Sequence, residues 1–520
     1  MLRIGGIAIL GLVCLAGCGG AYSFQQPSPV QQPPPPPPTP AVVSITVTPS
    51  VVTMALGGSR SFLARVSGTN NTTVTWTVQE GAPGGTITNT GLYVPATLGT
   101  FHVIATSAAD PSKSASAVVN VAQLSGFFAS TGSMKAVVGI HTATLLPDGK
   151  VLMAGGSQPY PGIFGDDGSD ETGQSDAELY DPVARSFIAT GSMGSARTWH
   201  TATLLPNGEV LVTGGFDNGQ PKPTRPQPQG STELYNPATG SFTPAGTMGV
   251  ARAAHTATLL RNGQVLIAGG GTAGGFGLPF LGQGIASAEV YDPATNSFSA
   301  TGAMGTPRYA HTATLLPNGK VLIVGGISTA NVGAYTENVL LTAELYDPAT
   351  GAFTPTGSLG TARGGHTATL LANGKVLVAG GLISLNFTGV SFASTAELYD
   401  PATGAFTPTG NMTADREEHT ATLLPDGTVL IVGGAFASLI WSDMSTVSSQ
   451  GTLASAEIYD PATGSFTATD SMTAPRSAHT AMLLPDGTVL LAGGNMAQGW
   501  HGSTEGTQPT GTAELFKVLP

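Results

Sequence analysis

Charged residues are scarce in this chain of 520 residues. Asp, Glu, Lys and Arg make up only 10% of it, as 31 acidic and 19 basic side chains with a net charge of −12. A protein that binds nucleic-acid phosphates needs a basic face, and a coiled coil needs charged flanking positions. The composition therefore excludes both classes, and no nucleic-acid partner is expected. Apolar residues make up 41%, enough for a large core.

Cysteine is nearly absent, and both copies lie near the start, at Cys14 and Cys18. The chain after Cys18 therefore lacks disulfides, thiolate nucleophiles and cysteine-ligated metals. Long hydrophobic runs are also missing. The run Ile4–Ala16 is too short to span a bilayer, and behind Arg3 it is typical of a signal peptide.

The end of this run, Leu15-Ala16-Gly17-Cys18, resembles the lipobox of bacterial lipoproteins. The resemblance implies a signal peptide at residues 1–17, a lipid on Cys18 and export to the outer membrane or cell surface, where the lipid holds the protein on the membrane. Ordinary secretory cleavage beside an incidental cysteine is the alternative. Residues 18–40, with six consecutive prolines, would form the lipid anchor and an extended linker.

Short β-branched runs alternate with turn residues over residues 41–122 and predict a β-sandwich with Trp76 in its core. The segment resembles a bacterial Ig-like domain of group 2, through Leu56-Gly57-Gly58-Ser59 and Gly91-Leu92-Tyr93. Such domains act mostly as spacers or adhesive modules. His102 is expected on a strand face, with no ligand role.

Residues 123–520 consist of seven similar units. A unit begins with His-Thr-Ala and continues to an Asp-Gly or Asn-Gly pair, which predicts a type I′ hairpin turn. An apolar strand then ends in Gly-Gly, and a strand containing a Glu runs into Asp-Pro-Ala-Thr-Gly, a type I turn. A short fourth strand closes the unit. Four antiparallel strands repeated seven times predict a β-propeller.

The two ends of the repeat region complement each other. Gly126–Met134 matches the fourth strand of other units, whereas the last unit stops after its third strand, near Leu515. We therefore expect the strand at 127–130 to pair with that at 513–516 and close the ring, with no exposed sheet edge. The Arg-x-x-His-Thr start, the Gly-Gly pair and Ala-Glu-Leu-Tyr-Asp-Pro resemble Kelch repeats. The predicted fold is all-β: a seven-bladed Kelch-type β-propeller preceded by an Ig-like β-sandwich.

Repeated polar residues are interpreted as structural. Seven histidines share one position, six of them with an Arg three residues earlier, and every unit has its Glu. Equivalent positions lie around a wide circle and cannot meet at one metal ion. We expect Arg to bridge to Glu within or between blades, with Val138 replacing the Arg of the first unit. Copper radical oxidases share this fold but need a cysteine crosslinked to a tyrosine, so that activity is not expected, and neither is any cofactor.

Binding candidates come from the positions that differ between units. The connections from strand two to strand three are long and variable, and they emerge on one face, the long-loop face, where rigid propellers usually bind. The candidates are Trp199, Tyr309, Glu417, Glu418, Trp441, Trp500 and His501. An acidic cluster suits calcium by its oxygen ligands, although a solvated loop is the alternative; it comprises Asp166, Asp167, Asp170 and Glu171.

The function expected from these features is that of a cell-envelope lipoprotein. Its long-loop face would bind a protein or carbohydrate partner at the cell surface without catalysis. The alternative is a hydrolase or lyase that acts on a glycan at the same face. The residues available for its catalysis are Glu417, Glu418 and His501.

Overall fold

The computed structural model describes ten ranges of the chain. They are residues 42–55, 60–122, 126–159, 171–217, 227–272, 283–329, 337–386, 389–437, 450–496 and 508–518. Within them the regular structure is β-strand, with one short 3₁₀ helix at Ala82–Gly84. No helix in these ranges has the length and apolar character needed to span a membrane.

The N-terminal part packs small sheets around one apolar cluster. Its strands are Ser44–Thr48, Val51–Ala55, Arg60–Ser61, Leu63–Ser67, Val74–Val78, Thr86–Ile87, Leu92–Val94, Gly99–Ser107 and Ser114–Ala122. Tyr93 and Val103 at its centre are fully buried. Trp76 packs against the cluster only half-buried, because its strand lies at the edge of the four-stranded sheet. His102 contacts the Glu80 carboxylate at 2.6 Å.

The repeat region forms seven four-stranded antiparallel sheets in the described residues, called sheets 1 to 7. The first strands are Thr142–Leu145, Thr201–Leu204, Thr256–Leu259, Thr312–Leu315, Thr367–Leu370, Thr420–Leu423 and Thr480–Leu483. The second strands are Val151–Ala154, Val210–Thr213, Val265–Ala268, Val321–Val324, Val376–Ala379, Val429–Val432 and Val489–Ala492. Every residue of the second strands is buried, in keeping with their almost entirely apolar sequences.

The third strands carry the repeated Glu, and the fourth strands lie at the outer edge. The third strands are Ala177–Asp181, Thr232–Asn236, Ala288–Asp292, Ala343–Asp347, Ala396–Asp400, Ala456–Asp460 and Ala513–Val518. The fourth strands are Ser186–Ala189, Ser241–Pro244, Ser297–Ala300, Ala352–Pro355, Ala405–Pro408, Ser465–Ala468 and, for sheet 7, Gly126–Ser130.

The sheets form a closed ring. First strands of successive sheets contact each other, and the first strand of sheet 7 contacts that of sheet 1. Gly126–Ser130 pairs with the last strand of the chain, with Phe128 opposite Phe516 and Ala129 opposite Leu515. The predicted pairing of the two ends is confirmed.

The turn between the first and second strands differs from the prediction. Gly149 donates its backbone N–H to the Leu146 carbonyl, so Pro147 and Asp148 are the central residues. Only the glycine has positive φ, at 84°. The type I′ prediction is wrong: the loop is one residue longer, and proline favours a type I turn followed by a left-handed glycine.

Short two-stranded ribbons extend the long connections between second and third strands on the long-loop face. They pair Ser157–Pro159 with Glu171–Gly173, Phe216–Asp217 with Gln227–Pro228, Ile327–Thr329 with Glu337–Val339, Leu382–Asn386 with Gly389–Phe392, Ala435–Ala437 with Gln450–Thr452, and Asn495–Met496 with Gln508–Pro509. Several neighbouring ribbons contact each other, and together they form a rim around the ring centre on the long-loop face.

Arg–Glu pairs fix the connection that enters each of sheets 2 to 7. Arg308 is fully buried, and its Nη2 donates to Glu344 Oε1 at 2.8 Å while Nη1 donates to the Gly325 and Thr342 carbonyls. The equivalent pairs are Arg197–Glu233, Arg252–Glu289, Arg363–Glu397, Arg416–Glu457 and Arg476–Glu514. The predicted Arg–Glu bridge is confirmed, and it lies within each unit.

We predict that R308M lowers the free energy of unfolding by about 3–5 kcal/mol, because it leaves the Glu344 carboxylate buried without its cation. Chemical denaturation measures the loss. K375M is the matched control: Lys375 and Asp400 form a partly exposed pair, so its loss should change the free energy of unfolding little. Equal effects of the two variants would contradict the interpretation.

Candidate functional site

The residue before each repeated histidine lies at the centre of the ring. These seven residues, here called the axial ring, are Ile140, Trp199, Ala254, Ala310, Gly365, Glu418 and Ala478. All have positive φ, between 49° and 61°. Backbone hydrogen bonds join several of them directly, such as Ala254 N–H to the Trp199 carbonyl at 2.9 Å and Ala478 N–H to the Glu418 carbonyl at 3.0 Å.

Large side chains occupy strained positions in the axial ring. A left-handed conformation costs a non-glycine residue about 1–2 kcal/mol, and it is rarest for β-branched or bulky residues. Ile140 and Trp199 nevertheless adopt it, and Glu418 does so as well. Such strain persists where the surrounding structure imposes it, and it often marks a functional position. Here it follows from the inter-sheet backbone hydrogen bonds.

Trp199 and Glu418, two of the predicted binding residues, are half-buried in the axial ring. Between them, going around the ring, lie the small residues Ala254, Ala310 and Gly365. The sequence pattern identified both residues because they interrupt the repeat. It did not reveal the positive φ, although one signal existed: the position varies freely while the His-Thr-Ala after it is constant.

Glu417 and Tyr309 are more buried, at 7% and 3% exposure. A Cβ on Gly365 would approach Glu417 Oε1 to 2.6 Å, so the Glu417 side chain lies against the ring position of the preceding sheet. Tyr309 belongs to an apolar cluster with Ile327, Leu382 and Phe392. The ring of Tyr309 therefore forms part of a small core beneath the long loops.

The other predicted site residues lie outside the described residues. Trp441, Trp500 and His501 are in this group, as are Asp166, Asp167 and Asp170. Glu171 is described only as backbone, in the ribbon strand Glu171–Gly173. Within the described ranges, no group of three His, Cys, Asp or Glu side chains could hold a metal ion.

The repeated histidines link neighbouring sheets. His200 Nε2 lies 3.1 Å from Thr142 Oγ1, and His141 Nε2 lies 3.0 Å from Thr480 Oγ1, which closes the circle. The other pairs are His255–Thr201, His311–Thr256, His366–Thr312, His419–Thr367 and His479–Thr420. Burial lowers the pKa of His141 to about 4 and that of His200 to about 3, where the positive charge of Arg197 adds to the effect. The imidazoles are therefore neutral hydrogen-bonding groups.

A cavity of about 440 Å³ lies on the opposite face, among the short turns of sheets 2 and 3. Its lining side chains already bond to each other: Gln264 Nε2 donates to Asp292 Oδ2 at 3.2 Å. Asn207 Nδ2 donates to Glu209 Oε2, outside the lining, at 2.9 Å. This cavity contains none of the predicted binding residues.

Comparison with known proteins identifies the type of fold. No protein-family model matches the chain. A segment of 172 residues is 28% identical to the Kelch-like protein terF of Aspergillus terreus, covering 33% of this chain and 35% of that protein. A segment of 129 residues is 31% identical to galactose oxidase of Gibberella zeae, covering 24% and 18%. The chain thus spans about a third of the first relative and less of the second.

Among solved structures, a fungal alcohol oxidase of the AA5 family in complex with copper has a TM-score of 0.56 at 20% identity, over 76% of each chain. The repeat region has a Kelch and galactose oxidase-like propeller fold. The likeness to this oxidase concerns the fold alone, because few residues are shared.

The residues of this propeller do not fit the copper site that its oxidase neighbour suggests. The chain has no cysteine after Cys18 for a crosslink to tyrosine. The seven propeller histidines are buried and bonded to threonines, and they are spread around the ring. Tyr309 is enclosed in an apolar cluster. The described residues therefore supply no copper ligand set.

We predict that the propeller loses stability as the pH falls below about 6.5, the ordinary histidine pKa. The unfolded chain takes up protons on these histidines below that pH, whereas burial keeps their pKa values well below it in the folded chain, so the free energy of unfolding falls as the pH falls. Denaturation between about pH 6.5 and 5, above most carboxylate titrations, measures the effect. H255Q should reduce the slope; a flat profile would contradict the prediction.

Proposed function

We propose that the chain is an exported, lipid-anchored binding protein of the cell envelope. Cys18 carries the lipid, the proline-rich segment and an N-terminal Ig-like domain serve as spacers, and a seven-bladed Kelch propeller presents its long-loop face to a partner at the cell surface. The short apolar run ending in the lipobox-like segment supports the export and anchoring steps.

The axial ring carries the proposal for the binding site. Trp199 and Glu418 occupy it half-buried, and the three residues between them are alanine, alanine and glycine. Glu417 occupies the position beside Gly365, so we expect the space for a ligand beside Ala254 and Ala310, between the Trp199 ring and the Glu418 carboxylate. The ribbons of neighbouring sheets contact each other around this part of the face, and we expect them to border the site.

The chemistry of this space suits a glycan. A tryptophan provides an apolar face for a sugar ring, and a carboxylate accepts hydrogen bonds from hydroxyl groups. A peptide partner would use the same two residues, with an apolar side chain on Trp199 and a cationic group at Glu418. A glycan array and pulldown from envelope extract distinguish these two ligand classes.

A second candidate function is hydrolysis or elimination on a bound glycan. It rests on the adjacent carboxylates Glu417 and Glu418, since glycoside hydrolysis uses a pair of carboxylic groups. Glu417 lies against Gly365 and is largely buried, whereas Glu418 is only half-buried, so the two carboxylates have different environments. Release of reducing ends from a glycan found on the array would support this function, and binding without turnover would support the first.

We predict that W199A weakens binding of the array-identified glycan about fivefold to tenfold, because stacking on an aromatic ring contributes about 1–1.5 kcal/mol. E418Q should weaken it to a similar extent through loss of a charged acceptor. K320A, on the opposite face, is the control and should bind normally. Calorimetry with the purified protein measures each affinity. Unchanged affinity in both axial variants would place the site elsewhere.

A further inference from the structure

Six sheets contain the same seat for a guanidinium group. In sheet 4, Arg308 Nη1 lies 2.7 Å from the Gly325 carbonyl and 3.0 Å from the Thr342 carbonyl. Its Nη2 lies 3.1 Å from Thr342 Oγ1 and 2.8 Å from Glu344 Oε1. The seat therefore consists of two backbone carbonyls, a hydroxyl and a carboxylate, and the arginine supplies the balancing charge.

Sheet 1 keeps this seat but changes two residues around it. Val138 stands at the arginine position, and Asp176 stands where the other sheets have serine or threonine. Glu178 is unchanged and has the same orientation, since Lys135 N–H donates to its Oε2 at 3.1 Å and Ala136 N–H to its Oε1 at 2.9 Å. The side chain of Val138 ends one bond beyond Cβ and cannot reach the carboxylate.

The two changes leave negative charge where the other sheets are neutral. The formal charges of the arginine and the glutamate sum to zero in each of sheets 2 to 7, whereas those of Asp176 and Glu178 sum to −2 in sheet 1. Glu178 is only 5% exposed, and no described basic side chain forms an ion pair with it. A buried carboxylate without a cation is costly. Without the arginine the buried glutamate is unfavourable, and Asp176 places a second carboxylate in the same unit.

An independent observation concerns the Gly155 carbonyl. Its equivalents accept Nη1 of the arginine in sheets 2 to 7, for example Gly214 at 2.9 Å and Gly325 at 2.7 Å. Gly155 is buried, and no described group donates a hydrogen bond to its oxygen. Buried carbonyls are nearly always paired. The seat in sheet 1 thus offers both a carboxylate and a carbonyl oxygen that lack the cation found elsewhere.

We propose that this seat binds a calcium ion. The ligands are the carboxylates of Glu178 and Asp176 and the backbone carbonyls of Gly155 and Asp176, with water completing the shell. Calcium takes six to eight oxygen ligands in flexible geometry, whereas magnesium demands a small octahedral shell. The Asp176 side chain is exposed and accepts a hydrogen bond from Ser192 Oγ at 3.2 Å, on the connection into sheet 2, and binding of the ion would replace this contact. The ion takes over the role of the missing guanidinium and fixes the connection into sheet 1.

The test compares the purified protein with V138R, which restores the arginine, and D176S, which restores the hydroxyl. After EDTA treatment, calcium should raise the Tm of the natural protein and bind with a stoichiometry of one by calorimetry, and magnesium should bind more weakly. V138R should have a raised Tm in EDTA and no response to calcium. D176S should lose most of the calcium response. If V138R fails to fold, D176S decides the test.

Two results would overturn the proposal. One is the absence of any calcium-dependent change in Tm or heat of binding in the natural protein. The other is an equal calcium response in the natural protein, V138R and D176S, which would place the ion elsewhere, such as at the acidic residues 166–171. D166N/D167N is the matched control, and it should retain the full response.

Discussion

The propeller depends on one repeated hydrogen bond between neighbouring sheets, which joins a buried histidine Nε2 and the Oγ1 of the threonine that follows the histidine of the preceding unit. His141 and Thr480 form the same bond between sheets 1 and 7, so the series has no free end. Each first strand contributes a histidine to the contact with one neighbouring sheet and a threonine to the contact with the other, so a change in one unit affects both sides. This constraint explains the near-identity of the His-Thr-Ala segments within the chain. It also explains why the histidines are neutral, since charging them would require their hydration.

Positions outside these contacts differ between units, and the position of the glycine before each fourth-to-first connection shows why. A glycine precedes each fourth-to-first connection in six sheets, such as Gly302 and Gly357, because a Cβ there would collide with the turn of the next sheet. Asp470 replaces it in the seventh case. The outer strand of sheet 7 is Gly126–Ser130, so no such turn faces Asp470, and Arg60 of the N-terminal part lies nearby instead.

The proposed binding site and the proposed calcium seat are exceptions of the same kind. Trp199 and Glu418 stand where four other units have alanine or glycine, and Val138 and Asp176 stand where the other units have arginine and a hydroxyl residue. Each exception sits on the long-loop face or on a connection that leads to it. The invariant parts of the units hold the ring together, and the variable parts give this face its chemistry.

The sequence alone determined the all-β class, the four-strand units, the pairing of the two ends and the Arg–Glu bridges. These follow from local periodicity and from residues that recur at fixed spacing. Tertiary structure decided that Trp199 and Glu418 share a strained ring, that Tyr309 lies in an apolar cluster, and that Gly365 makes room for Glu417. Such features depend on contacts between residues more than fifty positions apart in neighbouring units. Spacing within one unit carries no information about them, because they exist only once the ring has closed.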